Sequence, residues 1–408
     1  MDRINFLNIF IDNISLSYLL KELTEKGGFI VTPNVDHLVK LQKDADFLKA
    51  YKIADYVVCD SKIIQYVLKF LGKPVPEKIS GSDLFPAFYH YNQDNNEIKI
   101  FLLGGEPEVA QKAQNKINQK VGREIIVSAL SPSFGFENNS VECFAIIDQI
   151  NKSGANVIAI GVGAPKQEKW IVKYRSLLPN VKIFLPIGAT IDFEAEHKTR
   201  SPKWMSNIGL EWFYRLICEP KRLWKRYLVD SIPFLIHTLQ YRFDIYKNNP
   251  IMELKSMPLG MMLNNAGLLS NEELTMILET QKQKNYQVKL GQIIENFGFL
   301  PQETITFFAE ELLRIIESNQ SLPLGDYLQK AHLISSSQID DLSKKQEQLF
   351  PRKKIHELIL ESGYLSQKTL DWFIKFQFIL KSHQQKNTTF EQIYEELETI
   401  TSSIDKSD

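Results

Sequence analysis

The chain has 408 residues, which is more than one hydrophobic core usually holds, so we expect two or more domains. Apolar residues make up 44% of it, charged residues make up 24%, and the formal net charge is -1, as in an ordinary globular protein. This balanced charge gives no indication of a nucleic-acid partner, and no uncharged apolar run approaches the roughly 18 residues that predict a transmembrane helix.

The cysteines and the opening residues indicate a compartment. Cys59, Cys143 and Cys218 have no metal-ligand spacing and cannot all pair, which favours a reducing environment. The opening residues MDRINFLNIF carry charges around a short apolar run and lack the pattern of a signal peptide. We therefore expect a cytoplasmic protein whose membrane contact, if there is any, is peripheral.

From the start to about residue 195, short β-branched and aromatic runs alternate with helical spacing. The predicted strands are 28–31, 56–59, 98–103, 125–129, 157–160 and 183–187, and helical patterns include 35–50, 106–119 and 140–151. This alternation predicts an α/β, Rossmann-like domain over residues 1–195, with helices on both faces of a parallel sheet. In such sheets the ligand lies outside the carboxyl ends of the strands, so the residues after each strand are candidates for a site.

Polar residues follow the first two predicted strands. Thr32 and Asn34 come after the first, where they could bind a ligand, although both residue types are also common helix caps. Asp60 comes after the second, where it could act as a general base or, again, cap a helix. The later segment KISGSD offers a cation, Lys78, and a carboxylate, Asp83, which alone is more typical of a cap than of a catalyst.

Two glycine turns follow later strands and open helical patterns. At Gly104 and Gly105 the amino end of the next helix could receive a phosphate, but two glycines are a weak signal. The segment GVGAPKQE repeats the arrangement more convincingly, because its proline fits a first helical turn. Neither turn has the six-residue dinucleotide fingerprint, so a nicotinamide-dependent dehydrogenase is the weaker alternative.

Residues 196–247 contain ten Lys or Arg against five Asp or Glu, an excess that predicts contact with a membrane surface or a phosphorylated ligand. Arg215, Arg222 and Arg226 lie near one helical face if Pro220 kinks the helix rather than ending it. One interpretation is an interfacial appendage that meets the membrane and brings these arginines over a diphosphate. The other is a basic amphipathic helix that packs on its own domain.

Several motifs, in this order and spacing, resemble the WecG/TagA/CpsF family of glycosyltransferases. They are TPNVDH, the strand end at Asp60, KISGSD, FLLGG, GVGAPKQE, IGATIDF and RSPKWMSNIGLEWFYRLICEPKRLWKRY, and the resemblance runs from about Ile4 to Leu235. Members of this family are bacterial enzymes that transfer a sugar such as N-acetylmannosamine from UDP onto a lipid-linked acceptor. The resemblance implies a UDP-sugar donor, a polyprenyl-diphosphate-linked acceptor and peripheral attachment to the inner face of the cell membrane.

The resemblance also implies roles for individual residues. Asp60 would deprotonate the acceptor hydroxyl, while Thr32, Asn34 and Gln167 would line the pocket. Further substrate-binding positions that it implies are Lys78, Gly81, Asp83, Gly104, Gly105, Gly161, Gly163, Pro165, Lys166, Glu168, Asp192 and Arg200. Within the appendage, the residues implied to meet diphosphate and membrane are Arg215, Arg222 and Arg226.

The chain departs from the family's pattern at three positions. Lys78 stands where Arg is usual and lacks its bidentate fork, Ser61 stands where Gly is frequent, and Ser201 stands where Ala is common. No Asp-x-Asp pair follows a predicted strand to hold a divalent metal. We therefore expect no metal and no other cofactor, with Arg, Lys and backbone amides neutralising the departing diphosphate.

After Asn248 the chain becomes helical in pattern and repeats itself. Four units open at Leu259, Leu290, Leu324 and Ile355, at intervals of 31, 34 and 31 residues. Each predicts a short helix, a turn, a capped start and a longer helix. Because about 30 residues cannot bury an apolar face alone, the units should pack together. We expect pairs over 251–318 and 319–385, followed by a polar tail over 386–408.

The four units resemble the MshEN family, also known as the amino-terminal domain of type II secretion ATPases, whose tandem units bind cyclic di-GMP. That family's Arg before Leu-Gly is absent, and the residues in those places are Pro258, Lys289, Pro323 and Lys354. A module for protein contact or dimerisation is therefore the leading interpretation, and cyclic di-GMP binding is the alternative.

Taken together, the patterns and the resemblance predict an inverting, metal-independent glycosyltransferase of cell-surface polysaccharide synthesis. A competing hypothesis of a different class is a catalytically vestigial scaffold whose repeats act as a nucleotide-responsive or protein-interaction module. The presence of Asp60, Asn34 and Gln167 argues against that hypothesis.

Overall fold

A computed structural model describes residues 2–228, 230–348 and 353–384, without the side chains of residues 203, 207, 222 and 226. The chain divides into two compact units. The sheet unit comprises Met1–Asn248 and Asn285–Gln287, and the repeat unit comprises Asn249–Lys284 and Val288–Asp408. The predicted polar tail over 386–408 lies outside the described residues.

The strands of the sheet unit are β1 (Arg3–Phe6), β2 (Ile9–Asp12), β3 (Gly28–Val31), β4 (Tyr56–Val57), β5 (Ile100–Gly104), β6 (Ile126–Leu130), β7 (Val157–Gly161) and β8 (Ile183–Pro186). Strands β3 to β8 form one sheet in the order β4-β3-β8-β7-β5-β6, and every pair in it is parallel. The predicted α/β fold is therefore confirmed.

Its helices are α1 (Leu16–Lys26), α2 (Val35–Lys40), α3 (Ala45–Ile53), α4 (Lys62–Phe70), α5 (Gly81–Tyr91), α6 (Val109–Val121), α7 (Ser140–Ser153), α8 (Lys166–Tyr174), α9 (Thr190–Glu194), α10 (Lys203–Asn207), α11 (Glu211–Cys218), α12 (Pro220–Leu228) and α13 (Ile232–Arg242). The single helix predicted over 35–50 is two helices, because Asp44 caps a new start by accepting the backbone N–H of Phe47.

Both faces of the sheet are buried. Along β5, Phe101 and Leu103 pack into one apolar cluster while Ile100 and Leu102 pack into another on the opposite face. This alternation follows from the two-residue period of a strand, and it explains why the strand is apolar throughout. Burial of both faces leaves the ends of the strands as the places where polar side chains meet solvent.

An amino-terminal hairpin, which the sequence patterns did not predict, covers one edge of the sheet. Strands β1 and β2 pair antiparallel, and Asp12 at the end of β2 is buried. Its carboxylate accepts hydrogen bonds from the Arg3 side chain at 2.8 Å and from the backbone N–H of Val57 at 2.7 Å. The hairpin thus attaches to the short edge strand β4 and covers it.

The basic appendage is a series of short helices, α10 to α13. Helix α11 ends at Cys218 and α12 begins at Pro220, so the proline starts a new helix rather than kinking a continuous one. This placement suits proline, which lacks an N–H that the first helical turn does not need. The side chains of Arg222 and Arg226 lie outside the described residues.

No helix among the described residues combines the length and the apolar composition needed to span a bilayer.

The repeat unit is helical: α14 (Pro250–Ser256), α15 (Leu259–Asn265), α16 (Asn271–Gln283), α17 (Leu290–Asn296), α18 (Gln302–Thr306), α19 (Leu312–Ser318), α20 (Leu324–Lys330), α21 (Ser336–Gln348), α22 (Ile355–Glu361) and α23 (Gln367–Gln384). A π-helical segment, Phe307–Glu311, joins α18 to α19.

The four openings of the sequence repeat are the first residues of four helices, α15, α17, α20 and α22, each seven residues long. A residue with positive φ follows each of them, and these residues are Gly267, Gly298, His332 and Gly363. At the start of the longer helix, the hydroxyls of Ser270, Ser335 and Ser366 each accept a backbone N–H three residues on. One apolar cluster runs through all four units.

Candidate active site

A cavity of about 460 Å³ opens at the carboxyl ends of four neighbouring strands. Thr32 follows β3, Asp60 follows β4, Gly163 follows β7 and Gly188 follows β8, and all four residues line it. These strands are adjacent in the order β4-β3-β8-β7, so their polar ends meet although they lie far apart in the chain. The volume is in the range of small-molecule sites.

Helix capping and cavity lining coincide at Asn34 but not at Asp60. The Asn34 side chain accepts the backbone N–H of His37 at 3.1 Å and caps α2, and Asn34 also lines the cavity. The cap of α4 is Ser61, whose hydroxyl accepts the backbone N–H of Ile63 at 3.2 Å. The cap alternative for Asp60 therefore does not describe this carboxylate.

The environment of Asp60 makes it a stronger base than an ordinary aspartate. Desolvation by the surrounding protein raises the pKa of Asp60 to about 7, and the negative charge of Glu211 acts in the same direction. The cations Lys78 and Arg215 oppose this rise in the pKa. A carboxylate with a pKa near neutrality can accept a proton from a hydroxyl group and can be ionised at physiological pH.

Lys78 is held at the cavity by an ion-pair network. Its ammonium group lies 2.7 Å from the carboxylate of Asp83, which also accepts the Ser80 hydroxyl at 2.6 Å and pairs with Arg200. Burial alone would raise the pKa of Asp83, but Lys78, Ser80 and Arg200 together lower it to about 2. Asp83 and Arg200 thus lie behind Lys78, and only Lys78 of these three lines the cavity.

Gln167 joins two of the turns that line the cavity. Its amide oxygen accepts the backbone N–H groups of Gly163 and Gly188, each at 3.2 Å. Its amide nitrogen donates to Glu168 at 2.8 Å, and Glu168 is 1% exposed. Burial raises the pKa of Glu168 to about 7, with the Gln167 hydrogen bond opposing the rise. Glu168 therefore fixes the orientation of the Gln167 amide from behind the cavity wall.

The appendage supplies the outer wall of the cavity. Arg215 of α11 lines it and pairs with Glu211 at 2.7 Å, and Leu223 of α12 is a buried member of the same wall. Helix α13 adds Phe234, which packs with Phe6 of the amino-terminal hairpin. The Tyr241 hydroxyl donates to the backbone carbonyl of Asn5 at 2.6 Å, so the hairpin also anchors the end of α13.

The cavity brings together eight of the residues chosen from the sequence: Thr32, Asn34, Asp60, Lys78, Gly81, Gly163, Gln167 and Arg215. Others lie outside its lining, and these are Asp83, Gly104, Gly105, Gly161, Pro165, Lys166, Glu168, Asp192 and Arg200.

Those outside the lining have structural partners. Gly104 and Gly161 stand side by side in β5 and β7, and a Cβ on Gly104 would lie 2.5 Å from the Gly161 carbonyl oxygen. Lys166 pairs with Glu137 at 2.6 Å, and the ammonium group of Lys198 lies 3.5 Å from Asp192. These glycines allow backbones to approach closely, and these charges are already paired.

Some cavity residues were not chosen as site residues from the sequence, although His37 and Glu211 lie within the motifs of the family resemblance. His37 and Lys62 occupy the first turns of α2 and α4, where polar residues are common. Glu211 is the first residue of α11, where an acidic residue is ordinary because it suits the helix dipole. Its four-residue spacing from Arg215 predicts a helical ion pair.

Within the described residues, His, Cys, Asp and Glu side chains form no cluster of three or more suited to hold a metal ion.

Comparison with known families gives a match to this region. Residues 4–248 match the model of the glycosyl transferase WecG/TagA/CpsF family, which covers more than half of the chain.

Proposed function

The chain belongs to the WecG/TagA/CpsF family of glycosyltransferases, which act in cell-surface polysaccharide synthesis, and we propose that it transfers a sugar from a UDP donor to a polyprenyl-diphosphate-linked acceptor. On the family resemblance alone, we propose N-acetylmannosamine as the sugar. The observation that carries the proposal is the shared cavity of Asp60, Lys78 and Arg215, which places a base with a raised pKa beside two cations.

The reaction is a single displacement that inverts the anomeric centre. Asp60 takes the proton of the acceptor hydroxyl, and the acceptor oxygen forms a bond to the anomeric carbon of the donor sugar. The bond from that carbon to the diphosphate oxygen breaks, and UDP departs with the electron pair. A base positioned for this step typically contributes about 100-fold or more to the rate.

Charge on the departing diphosphate is stabilised by the chain's own groups. Lys78 and Arg215 line the cavity, whereas the backbone N–H groups of Gly163 and Gly188, in the turns after β7 and β8, donate to Gln167. Fixed cations in a partly desolvated cavity are an effective way to stabilise developing negative charge. We therefore propose a metal-independent reaction.

The appendage is proposed to meet the membrane surface that carries the lipid-linked acceptor. Large apolar side chains of this segment are exposed, and they include Trp204, Ile208, Ile217, Trp224, Leu228, Leu235 and Leu239. Lys221 and Lys225 are exposed on α12 among them. Exposed aromatic and aliphatic groups beside lysines are typical of elements that lie in a membrane interface. This would place the protein peripherally on the inner face of the cell membrane.

The test is titration calorimetry of UDP into the full chain, followed by sedimentation with vesicles of anionic and of zwitterionic lipid. We expect UDP to bind, Lys78→Met to weaken binding by about 10-fold, and anionic vesicles to capture more protein. A chain that binds UDP no more tightly than uridine would contradict the proposal, because the cations would then not meet the diphosphate.

For the repeat unit we propose a packing or protein-contact module. Each unit opens with Leu or Ile. The residue just before that opening is Pro258, Lys289, Pro323 or Lys354 rather than arginine. An arginine there would meet a guanine base or a phosphate, so its absence is against cyclic di-GMP binding. Titration of the full chain with cyclic di-GMP tests this, and saturable binding would replace the proposal with a nucleotide sensor.

A further inference from the structure

A second carboxylate, Glu211, lies in the same cavity as the proposed base. One of its oxygens accepts from the Arg215 guanidinium at 2.7 Å and the other accepts the Ser206 hydroxyl at 3.3 Å. Both Glu211 and Arg215 line the cavity with Asp60. Arg215, one of the two cations proposed to meet the diphosphate, is therefore paired with a carboxylate.

We propose that Glu211 is a positioning residue for the transfer reaction: it holds Arg215 before the donor binds, yields it to the donor diphosphate, and then strengthens Asp60 as a base. This inference rests on the proposed function, because it requires a diphosphate ligand and a proton acceptor at Asp60.

The effect of Glu211 on Asp60 depends on which charges are paired. Before the donor binds, Arg215 opposes the effect of Glu211 on the pKa of Asp60, although the effect of Glu211 is the larger of the two. When the diphosphate recruits Arg215, the charge of Glu211 is no longer balanced, and a like charge close to a carboxylate raises its pKa. Donor binding would thus increase the proton affinity of Asp60 at the stage when the acceptor hydroxyl must lose its proton.

Other groups act on Asp60 as well. The remaining charged or titratable residues of the cavity lining are Asp36, His37, Lys62, Lys78, Arg215 and Tyr227, and Asp83 lies behind Lys78. Lys78 opposes the raised pKa of Asp60, and the charge of Asp83 supports it. Lys78 is committed to Asp83 at 2.7 Å, so it does not replace Arg215 as the partner of Glu211.

The test is the Glu211→Gln variant of the full chain, measured in two ways. With the donor saturating, removing the negative charge lowers the pKa of Asp60, so the acidic limb of kcat/KM for the acceptor should move to lower pH by about 0.5 unit or more. Removing the competitor for Arg215 should also tighten UDP binding by about 3-fold or more, while uridine, which has no diphosphate, should bind as before. Glu211→Asp keeps the charge and should leave the acidic limb near its wild-type position.

Glu22→Gln is the matched control, because Glu22 forms an ion pair of the same four-residue spacing with Lys26 on α1, at 2.8 Å, outside the cavity lining. It should change neither the acidic limb nor UDP affinity. If Glu211→Gln does not fold, Arg215→Met tests the same pairing from the other side, and its acidic limb should move to higher pH.

A Glu211→Gln enzyme with an unmoved acidic limb and unchanged or weaker UDP binding would overturn the inference, since a purely structural role predicts that pattern. The proposed function would still stand in that case, provided that the wild-type chain binds UDP and transfers sugar. Failure of both wild-type activities would instead overturn the proposed function itself.

Discussion

The sheet unit and the repeat unit both use glycine for close approach, but against different neighbours. In the sheet unit a Cβ on Gly161 would lie 2.5 Å from the backbone carbonyl oxygen of Gly188. In the repeat unit a Cβ on Gly260 would lie 2.6 Å from a terminal methyl carbon of Leu274. The Gly188 backbone lies in a turn that the hydrogen bond to Gln167 holds in place, whereas the end of a leucine side chain can change rotamer.

The difference shows where each unit tolerates change. The strand-end turns that line the cavity are held by neighbouring backbones and by the two hydrogen bonds that Gln167 accepts. The helices of the repeat unit are held by side-chain packing that recurs four times along one apolar cluster. We therefore expect substitutions at the strand ends to cost more stability than equivalent substitutions in the repeats.

The largest expected effect is that of Gly161→Ala. Its Cβ would meet the Gly188 carbonyl oxygen and, at 2.8 Å, the Cδ1 atom of Ile191, so we expect a loss of about 3 kcal/mol of unfolding free energy. Hydrogen exchange of amides in β7 and β8 would measure it. An unchanged exchange rate in these strands would mean that the backbone adjusts freely, and the contrast between the units would fail.

A smaller loss is expected for Gly260→Ala, about 1 kcal/mol, because Leu274 can move. Gly325→Ala is its matched control, since the equivalent contact with the Cδ1 atom of Ile339 is 3.5 Å and needs no adjustment. Alanine favours a helix more than glycine does, so Gly325→Ala should be neutral or stabilising by about 0.5 kcal/mol. Hydrogen exchange in α15 and α20 compares the two, and equal losses would contradict the packing account.

A further contrast concerns the stability cost of the active site. The pKa of Asp60 is about 7 in the folded protein against an ordinary value of 3.8, so the folded state binds this proton more tightly than the unfolded state does. The contribution of protonated Asp60 to the free energy of unfolding is fully present below about pH 4 and is lost as the pH rises through 7. Asp60→Asn removes that loss, so its melting temperature relative to wild type should increase between pH 5 and pH 8.

The control for this pH dependence is Asp148→Asn, an exposed carboxylate that pairs with Lys152 on α7. Its melting temperature should follow the wild type over the same range. A difference between Asp60→Asn and wild type that does not change with pH would show that the carboxylate is not desolvated in the folded state.

Sequence patterns predicted the sheet strands closely, because buried strands are short continuous apolar runs, rich in β-branched and aromatic residues, that flanking turns delimit. They did not predict the hairpin of β1 and β2, whose strands are four residues each and lie beside charged residues. They also placed a single helix at 35–50, because the apolar spacing continues through the cap at Asp44.

A strand-end residue could be assigned to the candidate site from the sequence only where the order of the strands in the sheet does not decide whether it reaches the cavity. Gly104 and Gly163 follow similar strands in the sequence, but β5 lies beyond β7 in the sheet, away from β3 and β4. Only Gly163 therefore reaches the cavity. Strand order results from long-range packing that local patterns do not contain, and the same is true of Glu211, which joins the cavity through the appendage.

The repeats show the opposite behaviour. Their short helices begin where the sequence repeat opens, since local roles recur: the positive-φ turn at Gly267 has a counterpart in every unit, and the cap at Ser270 has one in two of the other three units. These recurring positions do not indicate which protein or ligand the repeat unit binds. The resemblance of these units to the MshEN family, and with it cyclic di-GMP binding, stays a prediction.

The most direct measurement of the central claim is a single-turnover transfer assay of the full chain, with a UDP-linked sugar and a polyprenyl-diphosphate-linked acceptor, comparing wild type with Asp60→Asn. We predict that Asp60→Asn loses about 100-fold or more in rate while UDP binding is retained, and that Asp148→Asn transfers at the wild-type rate. An Asp60→Asn enzyme that keeps more than about a tenth of the wild-type rate would contradict the assignment of Asp60 as the base.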